Sequence, residues 1–253
     1  MYHQYKLVLA TDLDGTFLEG DSQTKQFFYY ALWHLREQVM LIYTTGRSIE
    51  TVKQFCDHGY IPHPHYAIGD HGTHIVDGIN FHPVEHLQKP IIQKWNNGNR
   101  KLKELLSEEK GICLQPIDPP YRVAYYYDPQ HLQEHTLEKI THAGFDVVQS
   151  CDMYLDILPR GVNKGSTLLN LINDKKIDPE IVITAGDSLN DLSLFQTGLK
   201  GIAVSNSEPK LLDAIKQLNN VHCSKFPGIL GIIDGLQFYE KFHLFQESPL
   251  SCL

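Results

Sequence analysis

Three short runs limit the fold more than anything else in the chain: Lys6-Leu-Val-Leu-Ala-Thr11, Val39-Met-Leu-Ile-Tyr-Thr44 and Glu180-Ile-Val-Ile-Thr-Ala185. Each has an apolar centre without polar alternation and is too short for a helix, which fits a strand buried on both faces. Each also stops abruptly, at Asp12-Leu-Asp-Gly-Thr16, Thr45-Gly46-Arg47 and Gly186-Asp187. Residues 66–68 and 201–204 read as further strands. The segments between them read as helices, over 27–36, 165–172, 191–196, 209–218 and 229–242, with Ser48 capping another that runs through Phe55. Strands alternating with helices predict an α/β fold, a Rossmann-like doubly wound parallel sheet.

The rhythm breaks in the middle of the chain. Asp77-Gly78 is a hairpin signal between residues 73–76 and 79–82. From Pro83 to Lys110 the chain is polar and reads as helix, interrupted near Asn96-Asn-Gly-Asn99. A strand over 121–127, a helix over 130–142 and two successive strands over 145–149 and 154–158 follow, a pattern that suggests a small antiparallel sheet. The expected organisation is a core of residues 1–82 plus 159–253, with an α+β cap of residues 83–158 inserted into it.

The bulk properties exclude some functions. A net charge of −8 in 253 residues lacks the basic footprint of a nucleic-acid binder. Five scattered cysteines without paired spacing read as reduced thiols. No apolar stretch approaches the roughly 20 residues of a membrane helix. Met1 to Lys6 carries no long apolar run, and Ser251-Cys252-Leu253 matches neither a prenylation nor a peroxisomal signal. A cytoplasmic protein without a membrane or nucleic-acid partner is expected.

Ligands of open α/β sheets bind beyond the carboxyl ends of the strands. Asp12 and Asp14 follow the first strand, Thr45 the second and Asp187 a later one, while Lys164 opens the helix leading into that strand. Carboxylates, a hydroxyl and an ammonium at one edge suit phosphoryl transfer. Asp12 is the candidate nucleophile, forming and then losing an aspartyl phosphate. Asp14 is the candidate general acid and base. Thr45 and Lys164 would hold phosphoryl oxygens. Mg2+ would offset the repulsion between carboxylate and phosphate, with Asp12, Asp187 and the backbone carbonyl of Asp14 as ligands and Asp191 at one remove.

These segments closely resemble four motifs of the haloacid dehalogenase (HAD) superfamily: Asp12-Leu-Asp-Gly-Thr16, Thr45-Gly46-Arg47, Lys164 and Gly186-Asp-Ser-Leu-Asn-Asp191. The insert is similar to the α/β caps of the type IIB branch. Tyr43-Thr-Thr-Gly-Arg-Ser48 and Leu155-Asp-Ile-Leu-Pro-Arg-Gly-Val-Asn-Lys-Gly165 look most like sucrose-phosphate phosphatases. Gly15-Thr16-Phe17 departs from the Asn-Thr-Trp usual there.

The resemblance implies a Mg2+-dependent phosphoric monoester hydrolase with Asp12 as nucleophile and Asp14 as acid/base. It also implies metal binding by Asp12, Asp14 and Asp187 with Asp191 close by, and phosphate binding by Thr45, Gly46, Lys164 and Asn190. Arg47, His71, Tyr125, Tyr127 and Asp156 are candidates for contacting the substrate. The expected substrate is a small-molecule sugar phosphate, sucrose 6-phosphate or a related disaccharide phosphate first. Trehalose phosphate and glycosyl-3-phosphoglycerate are close competitors, and a sugar-phosphate-forming glycosyltransferase is a candidate partner. A phosphomutase or a non-catalytic phosphosugar-binding module are the alternatives.

Overall fold

Leu7 and Leu9 of the first strand face one hydrophobic core while Val8 and Ala10 face another, and all four are fully buried. This two-faced burial is what a central parallel strand requires. A computed structural model describes residues 5–246; Met1 to Gln4 and the terminal Ser251-Cys252-Leu253 lie outside the described residues.

The elements run β1 (Leu7–Thr11), α1 (Ser22–His34), β2 (Val39–Thr44), α2 (Ile49–Asp57), β3 (Tyr66–Gly69), β4 (His74–Asp77), α3 (Glu85–Trp95) and α4 (Gly98–Leu105). Next come β5 (Ile112–Leu114), β6 (Val123–Tyr127), α5 (Glu134–His142), β7 (Phe145–Ser150) and β8 (Tyr154–Pro159). The chain continues through α6 (Lys164–Lys175), β9 (Val182–Gly186), α7 (Leu192–Phe195), β10 (Lys200–Ala203), α8 (Pro209–Ile215), β11 (Val221–Cys223), α9 (Gly228–Phe238) and α10 (His243–Gln246).

Seven strands form one sheet in the order β11-β10-β9-β1-β2-β3-β4. Its pairings are parallel except β3 with β4. Order reverses at β1, which lies between β9 and β2, so the crevice beyond β1 and β9 is the topological switch point where ligands bind. The second sheet, β5-β6-β8-β7, is antiparallel throughout. It packs with α4 and α5 around a separate core that includes Trp95, Leu102, Ile140, Phe145 and Leu155.

Local chemistry explains where the elements begin and end. Asp21 accepts from the Thr24 amide, so α1 starts five residues earlier than residue 27. Ser48 accepts from the Thr51 amide and opens α2 as expected. The break between α3 and α4 falls at Asn96 and Asn97, both in the left-handed region (φ 42° and 61°).

Residues 79–82 are not a strand. The Asp77 carboxylate accepts from the amides of Ile79, Asn80 and His82 and holds them as a loop, while β4 pairs with β3. Only a single bridge, Val76 to Pro83, marks the chain's return.

Candidate active site

Asp12 leaves β1 with its amide donating to the Ala185 carbonyl of β9 (2.9 Å), which fixes it at the switch point. The turn that follows needs glycine at position 15. Its φ is +74°, and an added Cβ would lie 2.3 Å from Asp187 Oδ2. Thr16 Oγ1 donates to Asp187 Oδ1 (2.7 Å), and Asn206 Nδ2 donates to the Gly15 carbonyl (2.8 Å), so two more segments hold the turn.

Lys164 is the first residue of α6, which Asn163 caps by accepting from the Ser166 amide. Its side chain is buried. Nζ donates to Asp12 Oδ1 (2.7 Å), Asp191 Oδ1 (2.7 Å) and Asn190 Oδ1 (2.5 Å). An ammonium has three protons, and here each has a partner. Asp191 Oδ2 accepts from the amides of Asp187 and Ser188, both at 3.1 Å, which orients its other oxygen toward Lys164.

Ligand oxygens of Asp12, Asp187 and Asp191 lie within 4.8 Å of one another. Burial pushes the Asp12 carboxyl well above its ordinary range; Lys164 opposes this, and Asp191 and Asp187 add to it. Burial, then repulsion from Asp191, pushes Asp187 up to about 7. Burial disfavours the Lys164 charge, but Asp12 and Asp191 outweigh it and raise its pKa. One ammonium therefore under-compensates three carboxylates. Hard oxygen donors short of positive charge fit a small divalent cation such as Mg2+.

The carboxylate of Asp14 stands apart from the other three. It accepts from Arg47 Nε (2.7 Å) and Nη2 (2.5 Å) in an exposed pair, so the expected set of four divides into a buried three and this surface pair. Thr45 is buried; its amide donates to the Ile68 carbonyl and its Oγ1 accepts from the Arg47 amide (3.1 Å). At Gly46 the ring of His71 stands where a side chain would go, with Cε1 2.6 Å from an added Cβ.

The remaining candidates separate. His71 is buried and its Nε2 lies 3.2 Å from Asp156 Oδ2, while its Nδ1 is buried without a hydrogen-bond partner. Asp156 is buried too, and it also accepts from Arg122 Nη1, so its carboxylate serves an internal network rather than an open hydroxyl-binding surface. Tyr125 is 5% exposed and sits in the core of the four-stranded sheet, apart from the residues gathered at Asp12. Tyr127 packs partly on that core and donates to Asp152 Oδ1 (3.3 Å). It also lines a cleft of about 740 Å³ with Cys151, Asp152, Leu189, Glu208 and Lys210.

Sequence reasoning missed Asp70, Arg122, Thr16, Asn206 and Glu208. Thr16 lies inside the first motif and was legible by position. Glu208 accepts from the Leu189 and Cys151 amides, tying the loop after β9 to the β7–β8 turn, and no local pattern marks it.

Comparison with known proteins agrees with this geometry. The family model of sucrose-6F-phosphate phosphohydrolase matches residues 5–240. Glucosylglycerol-phosphate synthase of Pseudomonas anguilliseptica is 35% identical over 229 residues, covering 90% of this chain but 30% of that protein. Mannosylfructose-phosphate phosphatase of Agrobacterium fabrum is 27% identical, covering 92% of this chain and 96% of that one. The sucrose-phosphatase of Synechocystis sp. PCC6803, solved with sucrose and phosphate, superposes with a TM-score of 0.84 at 24% identity, covering 93% of this chain and 98% of its own. The chain belongs to the sucrose-6F-phosphate phosphohydrolase family, within the HAD superfamily.

Proposed function

We propose that this chain is a Mg2+-dependent phosphatase acting on a sugar phosphate, sucrose 6-phosphate or a related disaccharide phosphate, through an aspartyl phosphate on Asp12. The observation that carries the reading is the Lys164 ammonium gripping Asp12 and Asp191 within a buried cluster that Asp187 completes. Family membership supports the same chemistry, and the named relatives share a glycosylated phosphate ester.

Asp12, Asp187 and Asp191 are the side chains that would hold or support Mg2+, with the Asp14 backbone carbonyl as a further donor. When bound, the ion supplies positive charge that lets an anionic ester approach a carboxylate. Lys164 holds one oxygen of Asp12, and the other is the one that would attack the phosphorus. That oxygen attacks, the P–O bond to the sugar breaks, and the leaving oxygen takes a proton from Asp14. Asp14 then removes a proton from water, which attacks the phosphorus and frees Asp12 and inorganic phosphate. For either step Asp14 must release its two-point pair with Arg47, which lies at the surface where water can take over its hydrogen bonds. Thr45, Gly46 and Asn190 would position the phosphoryl oxygens, as would Lys164 on giving up one of its three acceptors.

Residues 83–158 would form the cap and residues 1–82 plus 159–253 the core, with the cap choosing the sugar as it closes. Tyr127, on the cleft that reaches Leu189, is the aromatic residue best placed for that choice. A glycosyltransferase that forms the sugar phosphate is the natural supplier, and the relative named for glucosylglycerol-phosphate synthesis supports that pairing. A cytoplasmic location accords with free Cys56, Cys113, Cys151 and Cys223, and no described helix is long and apolar enough to cross a membrane.

The test is phosphate release from sucrose 6-phosphate, trehalose 6-phosphate, glucosylglycerol phosphate, glycosyl-3-phosphoglycerates and hexose monophosphates, with Mg2+ and with chelator. Mg2+-dependent turnover favouring one glycosylated ester is expected. No release from any of them by the folded protein would contradict the reading.

A further inference from the structure

Arg122 precedes β6, in the part of the chain that builds the four-stranded sheet, yet its guanidinium is buried against the seven-stranded unit. Nε donates to Asp70 Oδ1 (2.9 Å), in the loop after β3, and Nη1 donates to Asp156 Oδ1 of β8. Asp156 Oδ2 in turn faces His71 Nε2 at 3.2 Å. The chain of contacts crosses between the two units twice: Asp70 and His71 come from one, and the Arg122–Asp156 pair between them comes from the other.

Taking such charges out of water is costly, and a purely structural contact is served as well by apolar side chains. This network also ends at the Thr45-Gly46-Arg47 loop, the phosphate loop of the reading above. The Asp70 amide donates to the Arg47 carbonyl (2.8 Å) and the His71 amide to the Thr45 carbonyl (3.1 Å). Asp70 and His71 both hold left-handed backbone (φ 50° and 58°), a cost that neighbouring structure must offset. The His71 ring lies against Gly46, and its Nδ1 is buried without a partner.

We propose that Arg122 is a positioning residue: by pairing with Asp70 and Asp156 at once it fixes the Asp156–His71 pair, and so seats His71 against Gly46 only when the two sheet units are docked. This rests on the phosphatase reading above and adds a route by which docking completes the phosphate loop. Asp156 acts here through His71 and not by touching the sugar.

The charge arrangement supports the order of action. Burial alone would push the Asp156 carboxyl up, but His71 and then Arg122 outweigh it and hold it below its ordinary range. As an ionised acceptor it faces Nε2, the ring nitrogen that also lies nearer to Gly46, and so holds that edge of the ring against the loop.

The experiment compares wild-type protein with Arg122→Met, Arg122→Lys and Asp156→Asn. It reads kcat and KM on the best sugar phosphate, Mg2+ binding by calorimetry, and the 15N shifts of His71. Asparagine at 156 must give its carbonyl oxygen to Arg122 and its amide to His71, which reverses the imidazole tautomer. We expect Arg122→Met and Asp156→Asn to lower kcat/KM by about tenfold or more, with Mg2+ binding unchanged and partial recovery in Arg122→Lys. The His71 tautomer should reverse in Asp156→Asn.

Wild-type kinetics in folded Arg122→Met, or an unaltered His71 spectrum in Asp156→Asn, would overturn the proposal. So would loss of Mg2+ binding in step with activity, which signals general loosening. If Arg122→Met does not fold, Asp156→Asn alone decides. Failure of the phosphatase reading would show separately, as absence of phosphate release by the wild-type protein.

Discussion

Lys164 Nζ sits 2.7 Å from Asp12 Oδ1 although 152 residues separate them, and both groups are buried. The contact joins the end of β1 to the start of α6, so the Asp12 carboxylate is oriented by tertiary structure and not by its own turn. Lys164→Met leaves Asp12 and Asp191 facing each other without their cation. Breaking a buried pair from one side costs about 3–5 kcal/mol, which urea denaturation in chelator would measure. Activity should fall roughly 10²–10³-fold as well. An unchanged denaturation midpoint would show that the ammonium does not hold the cluster together.

Gly15→Ala tests the turn. The left-handed backbone alone costs about 1–2 kcal/mol with a side chain, and the added methyl would push on Asp187. Mg2+ affinity, read by calorimetry, should drop with activity while the far-UV spectrum stays that of the wild type. Normal affinity would mean that Asp187 is not a ligand.

In metal-free protein the part of the stability that depends on Asp187 should fall as pH rises. Folded Asp187 holds its proton up to about 7, against an ordinary 3.8, so between those values the folded state binds more protons than the unfolded. Stability then falls with increasing pH, and the loss is complete once pH passes the folded pKa. Asp12 contributes with the same sign. Thermal melts in chelator from about pH 4 to about pH 8 should decline, less steeply in Asp187→Asn, and Mg2+ should reverse much of the loss at the alkaline end. A pH slope in chelator that is the same for Asp187→Asn as for the wild type, with no help from Mg2+, would contradict the carboxylate assignment.

Tyr125 and Tyr127 part company under substitution. Tyr125→Ala empties part of the small core and should cost about 3–5 kcal/mol, while Tyr125→Phe leaves the KM for the sugar phosphate unchanged. Tyr127→Phe removes a hydroxyl from the cleft and should raise that KM. A KM change confined to Tyr125→Phe would place Tyr125, and not Tyr127, against the substrate.

The contrast shows what the sequence makes legible. Asp12, Thr45 and Asp187 could be placed because each ends an apolar run, and in a parallel sheet strand ends converge. Tyr125 and Tyr127 share a strand face by their spacing, but nothing local says that the face looks inward. Asp77-Gly78 misleads because the Asp77 carboxylate takes three amides of its own loop, an outcome set by side-chain geometry. The edge strands β5 and β11, three residues each, are too short to carry a pattern. Arg122 was invisible for a different reason: its partners lie 52 and 34 residues away and belong to no shared motif.

The most direct test of the central claim is chemical trapping of the intermediate on Asp12. Asp14→Asn protein, slowed in dephosphorylation, would be mixed with Mg2+ and a turned-over ester, then reduced with borohydride and mapped by mass spectrometry. The account predicts conversion of residue 12 to homoserine, dependent on both Mg2+ and substrate. Reduction at another carboxylate, or none during demonstrated phosphate release, would contradict it.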